Sequence, residues 1–294
     1  MTTTTRSLRA GIVLLSIIHH RSARAQGMRE EHDIPYLTGA TPAQALDAYL
    51  PATAGYPTIV FFHGGSLAGG DKADEPTARI CANFVANGIG CISANYRFGP
   101  DITWPTHAND AAAAVAWAIR NLGKRGADTS HIYLMGHSSG CMLASLLGTD
   151  PKYLAPYRIA PASVRGVIAM GCLLGQIFDT AGIAPARVTG YFGANGPLRV
   201  FGSIDLLVDA SPTRHVSGSM PAFLVLIAAG EQVNPPILAH ANQFVVKARD
   251  AGASPLPLIR VLPDRVHYSA LNEMANPNDP TLQLVIRFIR TGAL

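Results

Sequence analysis

Short, wholly apolar runs recur along the chain at residues 58–62, 90–94, 132–135, 167–170, 223–229 and 258–262. Each has strand length and no polar alternation, the pattern of a strand buried on both faces. Between them lie longer stretches with helical spacing, such as 111–122 and 237–248. The last periodic stretch places Leu282, Val285, Ile286 and Ile289 at i, i+3, i+4 and i+7, one apolar stripe on a helix. Buried strands alternating with helices predict an α/β domain with a mostly parallel central sheet and helices on both faces. Residues 172–220 break the rhythm. They are rich in Gly, Pro and Ser and have no long periodic run, so they are expected to form an irregular, lid-like insertion that covers a site.

The N-terminus follows a different rule. Arg6 and Arg9 precede an apolar run from Gly11 to Ile18, which ends at the small-x-small triplet Ala23-Arg24-Ala25. That order reads as a signal peptide over 1–25, leaving one domain over 26–294 and an exported, periplasmic or extracellular protein. The apolar run is shorter than the roughly 20 residues that span a bilayer, and no later segment reaches that length, so no membrane span is expected in the mature chain. The leader holds four arginines and no acid, so its removal from a chain with 23 basic and 19 acidic residues leaves 19 of each. A near-neutral mature chain gives no bulk charge for nucleic acid. Cys81, Cys91, Cys141 and Cys172 have no metal-like spacing and each lies in an apolar stretch, so both disulfides and buried free thiols fit.

The chemistry concentrates at two strand ends. Gly136-His137-Ser138-Ser139-Gly140 has the form G-x-S-x-G where the run 132–135 turns toward a helix. A serine on such a sharp turn needs small neighbours, which makes Ser138 the candidate nucleophile and Ser139 a backbone N–H donor. An earlier apolar run ends in His63-Gly64-Gly65, whose side-chain-free residues let backbone N–H groups face a developing oxyanion. A serine hydroxyl needs a base, and His267 follows the last apolar run in the chain order this chemistry uses on α/β sheets. The other histidines fit less well: His63 and His137 belong to the two motifs, His107 precedes a helix, His131 opens a strand and His240 lies within a helix.

With "LDAYLP", "HGGSLAGGDK", "NYRFGPDITWP", "GHSSG", "AAGEQVNPP" and "VHYSALNEM", the chain resembles the α/β-hydrolase family from about residue 36 to 289. Within that family it is similar to the bacterial esterase/lipase group, near feruloyl and acetylxylan esterases, with kynurenine formamidase and hormone-sensitive-lipase-type esterases as relatives. The resemblance implies an α/β-hydrolase fold, Ser138 as nucleophile, His267 as base, and the N–H groups of Gly64, Gly65 and Ser139 as an oxyanion hole. It also implies a structural Arg97–Asp110 pair. Family members usually carry Gly-x-x-Asp after the strand that is 223–229 here, whereas Gly230 is followed by Glu231, Gln232, Val233 and Asn234. Glu231 is the expected acid, since some hydrolases of this fold use glutamate. Asn234 is the alternative occupant of the acid's place, and an amide there would weaken catalysis.

These readings point to a secreted serine carboxylesterase acting on a small-molecule ester without metal or organic cofactor. The alternatives are an arylformamidase-like amide hydrolase and a weakened hydrolase serving as a binding protein. Tyr268, Leu67 and the 172–220 insertion are candidates for the acyl pocket.

Overall fold

The computed structural model describes residues 27–99, 101–175, 199–231 and 237–293. Eight strands form one sheet: β1 (Met28–Pro35), β2 (Ala45–Pro51), β3 (Tyr56–Phe62), β4 (Gly90–Ala94), β5 (Ala127–His137), β6 (Gly166–Met170), β7 (Ala222–Ala228) and β8 (Leu258–Leu262). Their order is β1-β2-β4-β3-β5-β6-β7-β8. β1 and β2 pair antiparallel, as do β2 and β4, and every later pair is parallel. All six strands read from apolar runs are present. β1 and β2 carry no such signal, because β1 is a largely exposed edge strand and β2 has a charged Asp47 in its middle.

Side chains alternate across the sheet. Val60 and Phe62 face one core with α2 (Thr106–Asn121), α3 (Ser139–Thr149) and α4 (Ile237–Asp250). Ile59 and Phe61 face the other with α1 (Glu75–Ala86), α5 (His267–Asn272) and α6 (Pro280–Thr291). The predicted stripe of α6 is buried at Leu282, Val285, Ile286 and Ile289. Asp279 caps its first turn by accepting from the N–H groups of Thr281 and Leu282, and Gly292 ends it at φ +69°.

Three expectations change. α2 starts five residues earlier than its periodicity suggested, so His107 lies inside the helix, fully buried, its ring stacked with Trp104 and its Nε2 donating to Leu67 O at 3.2 Å. All four cysteines pair, Cys81 with Cys91 and Cys141 with Cys172, at Cα separations of 5.2 and 5.8 Å. The free-thiol reading failed because chain spacing says nothing about which apolar stretches face each other. The described part of the insertion is not wholly irregular: 199–215 forms three short helical turns, Arg199–Phe201, Ile204–Asp209 and Pro212–His215. The leader at 1–25 and residues 176–198 of the insertion lie outside the described residues.

Candidate active site

Parallel strands direct their carboxyl ends to one edge of the sheet, where loops collect chemistry. β5 ends at His137, α3 begins at Ser139, and Ser138 between them has φ +54° and ψ −122°. A non-glycine residue there stores roughly 1–3 kcal/mol of strain, held only by its surroundings. The surroundings are tight. A Cβ on Gly136 would lie 2.1 Å from Gly140 O, and one on Gly140 would lie 2.1 Å from Phe62 O, so neither position admits a side chain. The Ser138 amide donates to Met170 O at 3.0 Å, which ties the turn to the end of β6.

The glycine pair arrives beside this serine. A Cβ on Gly64 would sit 3.1 Å from Ser138 Cβ, so the backbone at Gly64 passes close over the nucleophile position. Ser139 opens α3, whose first N–H groups have no intrahelical acceptor and carry the positive end of the helix dipole. Gly64, Gly65 and Ser138 line a cavity of about 320 Å³ together with His137, Tyr268 and Leu271. A cavity of about 360 Å³ bounded by Tyr133, Arg165, Met220 and Pro255 lies at the opposite, amino ends of the strands and touches none of these residues.

The candidate base and acid come from the ends of β8 and β7. β7 runs into a short turn, Ala229–Glu231, and His267 is the first residue of α5 after β8. Gly230 N donates to Arg265 O at 3.1 Å, lashing the two turns together. Glu231 is buried; its Oε2 accepts from Ala228 N at 3.1 Å and its Oε1 makes a hydrogen bond with His267 Nδ1. The carboxylate can only accept, so Nδ1 carries the proton and Nε2 keeps its lone pair. Burial pushes the Glu231 carboxyl up, but the hydrogen bonds from His267 and Ala228 outweigh it and leave the group below its ordinary value. Gly171 makes room for the pair, since a Cβ there would lie 3.2 Å from His267 Nδ1 and 3.3 Å from Glu231 Oε1.

Ser138, His267 and Glu231 therefore share one edge of the sheet with Gly64, Gly65 and Ser139. Asn234 lies outside the described residues. Of the acyl-pocket candidates, Tyr268 lines the cavity with 69% of its surface exposed. Leu67 does not; it is buried in the core cluster that also holds residues of α2. Arg97 and Asp110 form a two-pronged pair, with both nitrogen–oxygen distances 2.8 Å.

Sequence reasoning assigned His137 only to a motif. Its buried ring lies 4.5 Å from that of His267, centroid to centroid, and its Nε2–H donates to His267 O at 2.9 Å. Burial first, then the neighbouring His267, holds its pKa down to about 4, so the ring is a neutral brace for the loop that carries the base. The signal was the residue preceding Ser138, but nothing in the chain places it against His267, 130 positions away.

This strand order, with a serine elbow after β5, a carboxylate after β7 and a histidine after β8, is that of the α/β-hydrolase fold, which the chain adopts. Residues 46–157 match the BD-FAE family model, a stretch that includes both glycine motifs and stops short of Glu231 and His267. Esterase LipC of Mycobacterium tuberculosis is 30% identical over 272 residues, covering 89% of this chain and 65% of LipC. Kynurenine formamidase of Danio rerio is 22% identical, covering 87% of this chain and 81% of that protein. Among solved structures, a truncated carbohydrate esterase from gut microbiota superposes with a TM-score of 0.70 at 19% identity, covering 90% of this chain and 96% of that one. The chain spans about half to two thirds of the length of the mycobacterial relatives LipC, LipM and LipQ.

Proposed function

We propose that the protein is an exported serine carboxylesterase that works through an acyl-enzyme on Ser138. The observation that carries this reading is the Glu231–His267 hydrogen bond at the same end of the sheet as a strained serine. It orients the imidazole and leaves Nε2 basic. Ser138 Oγ attacks the ester carbonyl as its proton passes to His267 Nε2, and the resulting oxyanion is received by the N–H groups of Gly64, Gly65 and Ser139. His267 returns the proton to the departing alcohol; water, deprotonated by the same nitrogen, then releases the acid. Each step uses groups the chain carries.

The esterase names of LipC and of the gut carbohydrate esterase support the ester over the amide as substrate. Two disulfides support export, since such bonds persist in oxidising compartments. Among the described residues no helix is long and apolar enough to cross a membrane.

The test is a fluorophosphonate probe followed by peptide mapping, alongside turnover of p-nitrophenyl acetate and butyrate against N-formyl aryl amides. Modification of Ser138, lost in Ser138→Ala, with faster ester than amide turnover is the expected result. Folded protein left unmodified at Ser138 would falsify the enzyme reading; faster amide turnover would make the protein a formamidase-type hydrolase instead.

A further inference from the structure

The loop that carries Gly64 and Gly65 is a poor candidate for self-supporting rigidity. Gly65, Ser66, Leu67 and Gly70 all have positive φ, at 117°, 57°, 58° and 100°. Non-glycine residues in that region hold their shape only when neighbours enforce it. The outgoing limb has such neighbours: Tyr96 Oη donates to His63 O at 2.9 Å, and His107 Nε2 to Leu67 O at 3.2 Å.

The returning limb packs directly on the oxyanion donors. A Cβ on Gly65 would lie 2.1 Å from Gly69 O, and one on Gly70 would lie 2.5 Å from Gly64 O. Whatever holds residues 69–72 therefore holds Gly64 and Gly65. That limb ends at Lys72, whose buried ammonium lies 2.8 Å from Asp47 Oδ1 and 2.8 Å from Asp33 Oδ1. Lys72 N donates to Asn95 Oδ1 at 2.6 Å, and Lys72 O accepts from Ser93 Oγ at 2.8 Å. Asp47 is buried in β2, where it also accepts from Asp33 N at 2.9 Å and lies 3.2 Å from His32 Nδ1.

An ion pair inside a sheet edge is not an efficient source of stability, because desolvating both charges consumes most of their attraction. It is, however, a position lock, since the ammonium finds its acceptors at one place only. Burial pulls the Lys72 pKa down, yet the Asp33 and Asp47 carboxylates raise it above its ordinary value, so the lock stays charged at neutral pH.

We propose that Lys72, paired with Asp47 of "LDAYLP", is a positioning residue that holds the Gly64–Gly65 limb in register with Ser138. The inference rests on the ester-hydrolase reading above, and it joins "LDAYLP", which the mechanism leaves unused, to the far end of "HGGSLAGGDK".

The experiment compares wild type, Lys72→Met, Asp47→Asn and the double variant in the full chain with p-nitrophenyl acetate. Turnover is expressed per site titrated to completion by fluorophosphonate, and binding of an aryl trifluoromethyl ketone reports the tetrahedral adduct. The expected result is a fall in kcat of roughly 10–100-fold, less than outright removal of an oxyanion donor, with KM within about threefold. The ketone affinity falls in parallel, and the double variant is no worse than either single. Should Lys72→Met not fold, the double variant removes both charges together and carries the same readout. A kcat per site within about twofold of wild type in the folded variants overturns the proposal. A wild type that neither labels nor turns over ester fails earlier and refutes the esterase reading instead.

Discussion

Glu231 reaches His267 from the first position after Gly230, whereas the Gly-x-x-Asp pattern puts its acid at the third. Its extra methylene and the tight Ala229–Glu231 turn bring Oε1 to Nδ1. Glu231→Gln keeps the shape and removes the charge that stabilises imidazolium. Its kcat is expected to fall by roughly 10²–10⁴, with KM little changed, in steady-state ester hydrolysis. Wild-type turnover after that exchange would remove Glu231 from the mechanism. His137 makes a second prediction at this scale. The unfolded ring takes up a proton below its ordinary value of about 6.5, whereas the folded ring stays neutral down to about 4, facing His267 and Glu231. The unfolded state thus binds more protons in that window, and stability falls as pH drops from about 6.5 to 4. Melting temperatures across that range should decline less in His137→Asn than in wild type; equal slopes would contradict the assignment.

At the scale of elements, the elbow depends on how α3 is held. Cys141 lies in its first turn and Cys172 directly follows Gly171, the residue that makes room for the Glu231–His267 pair. The disulfide therefore staples the nucleophile helix to the end of β6. Its 31-residue separation corresponds to about 3–4 kcal/mol in the chain-entropy treatment, against about 3 kcal/mol or less for the 10-residue separation of Cys81 and Cys91. Cys141→Ala with Cys172→Ala should lower the melting temperature by more than the corresponding Cys81/Cys91 pair of exchanges. Equal or reversed losses, measured by calorimetry under non-reducing conditions, would show that the staple is not where the stability lies.

For the whole molecule, the expected arrangement is an exported domain with a near-neutral surface charge. Expression of the full chain in a bacterial host, followed by N-terminal sequencing of protein from the periplasm or medium, should find a mature start near residue 26. Recovery of the uncleaved chain in the cytoplasm would sink that expectation, while leaving the chemistry at Ser138 untouched.

The six apolar runs, the stripe of α6 and the glycine spacing around Ser138 are local patterns, and the chain alone determined them, because strand burial, helix periodicity and a strained turn each leave a mark within a few residues. Glycine at 64 and 65 could be read for the same reason. What lay beyond reach were relations across long sequence distances: the two disulfide pairings, the place of His137 against His267, and the lock between Asp47 and Lys72. β1 and β2 were illegible too, since an exposed edge and a buried charge erase the apolar signal. Tertiary structure decided these because a contact between distant residues depends on strand order and register, which set neighbours in space without changing the local pattern of either partner.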